Sequence, residues 1–113
     1  MNIEQLREFC LSLPHTTEDV KWGNDLCFSV GAKMFAVTGV DSTGGISFKC
    51  TPEKFAELTE IEGIIPAHYV ARYHWVTVKD ADALTNRELK DLIRNSYDLV
   101  FQKLPKGVRN KLT

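Results

Sequence analysis

Trp75, Thr77 and Lys79 alternate along the segment Ala67–Lys79, so on a strand they share one face. The other face carries His74, Val76 and Val78. A core face seldom accepts that lysine, and a solvated face seldom accepts that tryptophan. An aromatic ring beside a cation suits nucleic acid, because bases stack on rings and phosphates pair with ammonium groups, at roughly 1–3 kcal/mol per stacked base. Ser47 and Lys49 lie on a second alternating segment and are expected beside Trp75. Arg72 and Lys33 are expected at the rim, with Trp22 and Lys21 near them. In the competing structural reading, Trp75 packs under the 64–72 loop and Lys79 simply points to water.

Other chemistry lacks a pattern. GxSxG, the Walker loop, GxGxxG and HExxH are all missing from the sequence. Gly44-Gly45 falls in a hairpin turn rather than before a helix, so it does not read as a phosphate cradle. His15, His68 and His74 have no carboxylate or thiol spacing that would complete a metal site. Cys50 precedes the helix start Thr51-Pro52, where a helix dipole lowers a thiol pKa, but an inward strand position beside Phe48 is the simpler reading. Glu53, Glu57, Glu60 and Glu62 read as a solvated helix face. No catalytic residue, cofactor or metal is therefore expected. The minor enzymatic alternative is acid–base work by His74 with Asp80 or Glu62.

The 113 residues suit one domain, expected over 1–113. With 43% hydrophobic and 26% charged residues, the composition is that of an ordinary globular protein able to bury a core. The net charge of −1 argues against a wholesale electrostatic grip on DNA and leaves room only for a local basic patch. Three widely spaced cysteines without CxxC exclude a disulfide framework and suggest free thiols in a reducing cytoplasm. The first residues lack the basic start and apolar run of a signal peptide, and no apolar stretch approaches membrane-spanning length. Lys103, Lys106, Arg109 and Lys111 form a tail without acids, which reads as a solvated, frayed end.

The elements follow from local signals. Asn2 and Gln5 form a capping box for a helix that ends near Leu13, before Pro14. His15–Asp19 reads as a polar connector. Leu26–Val30, Met34–Val40 and Ile46–Cys50 read as three strands of an antiparallel meander, with turns at Gly31-Ala32-Lys33 and Asp41–Gly45. Thr51 caps a helix over Pro52–Leu58. Gly63 and Pro66 frame a loop, and a strand over His74–Lys79 follows. Thr85 and Glu88 open the clearest helix, running through Leu89, Ile93, Tyr97 and Val100 to Leu104 and stopped by Pro105 and Gly107. The expected class is α+β: a single antiparallel sheet with helices packed on one face.

Several segments taken in order resemble one family. These are Lys-Met-Phe-Ala-Val at 33–37, Ile-Ser-Phe-Lys-Cys-Thr-Pro-Glu at 46–53, Ile-Ile-Pro-Ala-His-Tyr at 64–69, His-Trp-Val-Thr-Val at 74–78, Ser-Tyr-Asp-Leu-Val at 96–100 and Lys103-Leu104-Pro105-Lys106. Together they are similar to the YjbR/MmcQ-like family. The resemblance implies a small bacterial cytoplasmic domain with a CyaY-like, double-wing-like fold and a concave sheet. The family is compared with the double-wing DNA-binding domain of a phage transcription factor, and the resemblance implies DNA binding by that analogy of fold. The chain departs from the family at Val76, where relatives commonly carry Asn.

Residues and resemblance together lead to a non-enzymatic nucleic-acid-binding module with double-stranded DNA as partner. Lys33, Lys49, Arg72, Trp75, Thr77 and Lys79 are its expected contacts on the open sheet face. The alternative is a protein- or small-ligand-binding domain using the 64–73 loop and the same face, with a pocket lined by Tyr69, Tyr73 and Trp75.

Overall fold

The computed structural model describes residues 1–40, 45–68 and 70–112. Helix α1 (Ile3–Ser12) begins at the Asn2–Gln5 capping box, with both reciprocal bonds present. Four strands follow: β1 (Thr16–Lys21), β2 (Asp25–Val30), β3 (Lys33–Gly39) and β4 (Ile46–Lys49). Then come α2 (Pro52–Leu58), β5 (Ile64–Pro66), a 3-10 turn at Ala71–Tyr73, β6 (Trp75–Val78), α3 (Asn86–Gln102) and α4 (Lys106–Leu112). The strands form one antiparallel sheet in the order β1-β2-β3-β4-β6-β5. The expected α+β class with a single antiparallel sheet is what the chain adopts.

One sheet face is the floor of the core. Leu26, Phe28, Val30, Phe48, Val76, Val78 and Ile64 pack there against Leu6 and Cys10 of α1, Leu58 of α2, and Leu89, Ile93, Tyr97 and Val100 of α3. A bulge where the β2–β3 register shifts at Phe28/Ser29 places both Phe35 and Ala36 in this core. Phe35 meets Tyr97 edge-on, with ring centroids 5.3 Å apart. The Tyr97 hydroxyl donates to the Pro14 carbonyl at 2.6 Å and ties α3 to the end of α1.

Three expectations need correction. In the polar connector His15–Asp19, the residues from Thr16 on belong instead to β1, whose side chains are mostly exposed. An edge strand needs backbone pairing on one side only, so polar residues suffice. Its Glu18 accepts from Arg7 Nε at 2.9 Å and Nη2 at 2.7 Å, docking β1 on α1. The loop between Gly63 and Pro66 is instead edge strand β5, too short to show periodicity in the sequence. The basic tail is not frayed: Lys103 is the C-cap of α3, α4 carries Lys106, Arg109 and Lys111, and Leu104 and Val108 close over Gly31. A Cβ on Gly31 would lie 2.6 Å from Leu104 Cδ1, so this β2–β3 turn needs glycine for space as well as for its φ of +57°. The expected turn at Asp41–Gly44 lies outside the described residues.

Two carboxylates give the fold an acid limit. The hydrogen bond from Arg7, then its charge, holds the Glu18 carboxyl below the usual 4.5. The Thr85 backbone N–H, then its hydroxyl, does the same for Glu88. Below about pH 4.5 the unfolded chain takes up protons that these folded carboxylates still refuse. Their contribution is thus present above that pH and lost as pH falls through the depressed folded values. The urea midpoint is expected to drop between about pH 5 and about pH 3. Glu18→Gln combined with Glu88→Gln should flatten part of that drop, a modest part because both groups face solvent.

Candidate functional site

Among the described residues, no helix contributes to the lining of the second sheet face. Its central row follows from the register: Cys27 opposite Val37, Val37 opposite Ser47, Ser47 opposite Thr77, and Thr77 opposite Ile65. Opposed residues in antiparallel strands share a face, so this row crosses five strands. Lys49 opposes Trp75 in the next row. The expected sharing of one face by Ser47, Lys49, Trp75 and Thr77 is therefore met, and Lys79 continues the alternation at the end of β6.

This face is hollowed. A cavity of about 810 Å³ is floored by Met34, Val37 and Ile65, and its wall includes Trp75 and, from the segment before the 3-10 turn, Ala67 and Val70. The polar lining is Asp25, Ser47, His68, Thr77 and Lys79, and part of it is satisfied internally: the Ser47 and Thr77 hydroxyls lie 2.7 Å apart and bond each other. Trp22, Asp25 and Lys79 stand at the rim. Asp25 begins β2 and Lys79 follows β6, so three strand spacings, roughly 14 Å, separate them.

The six residues expected to act together divide into two groups. Trp75, Thr77 and Lys79 line the hollow. Trp75 is only 8% exposed and forms a wall rather than an open platform. The backbone beside it continues the β5–β6 pairing, the Ala67 N–H donating to the Trp75 carbonyl at 3.0 Å. Lys33, Lys49 and Arg72 lie at one end of the sheet, where β3 starts, β4 ends and β6 begins. The Lys49 ammonium donates to the Tyr73 carbonyl at 2.6 Å. Partial burial, then the nearby Lys103 charge, lowers its pKa from the lysine norm. The Arg72 guanidinium sits 4.8 Å above the Tyr73 ring. Lys33 opposes Val30 beside the Gly31 turn.

Tyr73 is exposed and is not in the cavity wall, while Tyr69 lies outside the described residues. Sequence reasoning missed Met34 and Val37 as cavity residues, and reached Ile65 and Val70 only as part of the 64–73 loop. The bulge breaks the alternation of Met34 and Val37 with core residues, and β5 is too short to show a period. His74 caps the 3-10 turn in a left-handed conformation, φ +64°, and packs edge-on to Phe55 with centroids 5.6 Å apart. Burial pushes the Cys50 thiol up to about 11, opposite to an activated nucleophile, although Lys49 and Lys54 pull it down. Among the described residues, no group of three or more His, Cys, Asp or Glu is placed to hold a metal ion.

Fold and hollow together define a small α+β domain with one helix-covered sheet face and one concave, uncovered face. The chain belongs to the YjbR family, whose family model matches residues 11–99. It is similar to YbdF of Escherichia coli O157:H7, 26% identical over 106 residues that cover 91% of this chain and 87% of that protein. Among solved structures it resembles the Deinococcus radiodurans protein DR2400, a DUF419 domain. There the TM-score is 0.86 and the identity 32%, over 98% of this chain and 87% of that one. A Pseudomonas syringae protein matches with TM-score 0.71 and 25% identity, over 88% of this chain and 99% of that one. Among the described residues, no helix is long and apolar enough to cross a membrane.

Proposed function

We propose that this protein is a non-enzymatic cytoplasmic binding module that takes a flat, mostly apolar small molecule into the hollow of its uncovered sheet face. The observation that carries this reading is the cavity itself. Its volume of about 810 Å³ falls within the range of small-molecule sites, about 300–1,000 Å³. Its lining joins aromatic and aliphatic side chains to polar groups of Asp25, Ser47, His68, Thr77 and Lys79 that can orient a ligand, which is how such sites are commonly built. The buried free thiols suit a reducing compartment.

The test is a thermal-shift screen of aromatic acids and heterocycles. An occupant at a hundred times its Kd adds about 2.7 kcal/mol and raises Tm by about 10 °C. Val37→Trp fills the hollow from the middle of β3 and is expected to abolish the shift while the protein stays folded. Equal shifts in both proteins would remove the hollow from consideration.

Double-stranded DNA binding is supported by a different observation. Lys33, Lys49 and Arg72 gather at one end of the sheet, with Lys103 close enough to act on Lys49. No ion pair engages Lys33 or Arg72 among the described residues. This reading moves the nucleic acid from the Trp75 face to the sheet end. Fluorescence polarisation with duplex and single-stranded oligonucleotides at low salt separates the two. If DNA is the partner, Lys33→Ala plus Arg72→Ala weakens binding and flattens the salt dependence, by roughly 0.9 in slope for each phosphate no longer neutralised, while Val37→Trp has no effect.

A further inference from the structure

We propose that Trp22 is the clamp of the hollow, stacking its indole on the aromatic ring of the bound molecule; this rests on the hollow being a small-molecule site. Lys21 pairs with Asp25, so Trp22, Gly23 and Asn24 form the turn between β1 and β2. Trp22 occupies this turn with φ +53°, in the left-handed region. That region suits Gly, Asn and Asp and is sterically unfavourable for a bulky side chain. Turn chemistry alone therefore selects against tryptophan here. Burial does not compensate, because Trp22 is 71% exposed. A residue that breaks both the backbone rule and the burial rule points to a role outside folding.

Its location supplies that role. The indole stands at the rim of the cavity whose wall includes Trp75. The β1–β2 turn lies at the Asp25 and Lys79 end of the strands, opposite the Trp75 end. The two tryptophans thus bracket the hollow along the strand direction. The turn is anchored, since the Asn24 carbonyl accepts from the Val40 N–H at 2.8 Å. The ring is therefore held at the mouth by a fixed backbone, and it needs only side-chain rotation to cover a ligand. Aromatic rings favour offset stacking on one another, which selects flat aromatic molecules over branched aliphatic ones.

The experiment titrates the wild-type protein, Trp22→Asn, Trp22→Phe and Val37→Trp with the fluorescent probe anilinonaphthalene sulfonate, and records each Tm without probe. Asn enters the left-handed region more easily than Trp, so Trp22→Asn is expected to leave Tm unchanged or raised. It is expected to weaken probe binding by about fivefold, the worth of one aromatic pair. Trp22→Phe should restore most of that affinity, and Val37→Trp should remove binding. Trp22→Asn binding like the wild type, with Val37→Trp still inactive, would overturn the clamp and keep the hollow. A Tm loss of several degrees in Trp22→Asn, or no rescue by Phe, would make Trp22 structural and also overturn the clamp. A probe that stays dark with the wild type, or binds all four proteins alike, would overturn the hollow and the clamp together.

Discussion

Phe48→Ala is expected to cost about 4 kcal/mol, a large loss for a single substitution. Phe48 is fully buried and sits at the middle of the sheet's core face, between Ala36 on β3 and Val76 on β6. Truncation removes the transfer free energy of the ring and leaves a cavity under α3 that neighbouring strands cannot close, because backbone pairing holds them. Domains of this size are stable by only about 5–15 kcal/mol, so the variant retains a small margin. Denaturant unfolding of the wild type, Phe48→Ala and Phe48→Leu measures it, with leucine losing less. A loss under about 1.5 kcal/mol for alanine would mean that this face is not the closed floor of the core.

Ser96→Ala removes a single oxygen and is expected to cost about 3 kcal/mol. The β3–β4 register ends at the pair Ala36–Phe48, next to the bulge. Beyond that pair, the fully buried Ser96 hydroxyl accepts from the Lys49 N–H at 2.9 Å and donates to the Phe35 carbonyl at 2.7 Å. One side chain of α3 thus replaces the missing rung between two strands. Alanine would leave a backbone donor and a backbone acceptor unpaired, each at about 1–3 kcal/mol. Hydrogen exchange adds a local readout. The Lys49 amide should exchange faster in Ser96→Ala than global destabilisation explains. Unchanged relative protection at Lys49 would show that another group satisfies it.

Local order in this protein is written in short-range signals. Asn2 with Gln5 and Thr85 with Glu88 fix two helix starts, because a capping box involves residues only three apart. Thr51-Pro52 fixes a third in the same way. Alternation along Leu26–Val30, Ile46–Cys50 and Trp75–Lys79 assigns side chains to two sheet faces, because strand geometry has a period of two. These features define the α+β class and place Trp75, Thr77 and Lys79 on one face. The three-residue strand β5 and the polar strand β1 carry no such period, since their hydrogen-bond partners on β6 and β2 create them.

Only the tertiary structure decided what the Trp75 face is. In the sequence, Trp75 beside Lys49 and Lys79 reads as an aromatic and basic platform. In the fold, Trp75 is buried, and the Lys49 ammonium is held by the Tyr73 carbonyl, 24 residues along the chain. The remaining surface is an apolar hollow, with Lys79 at its rim. A period of two specifies which side of a sheet a residue occupies. It cannot specify what lies above that side, because the covering groups arrive from loops and turns distant in sequence. Trp22 illustrates the same limit: nothing near it in the chain explains a tryptophan in a left-handed turn, and the cavity brought to it by folding does.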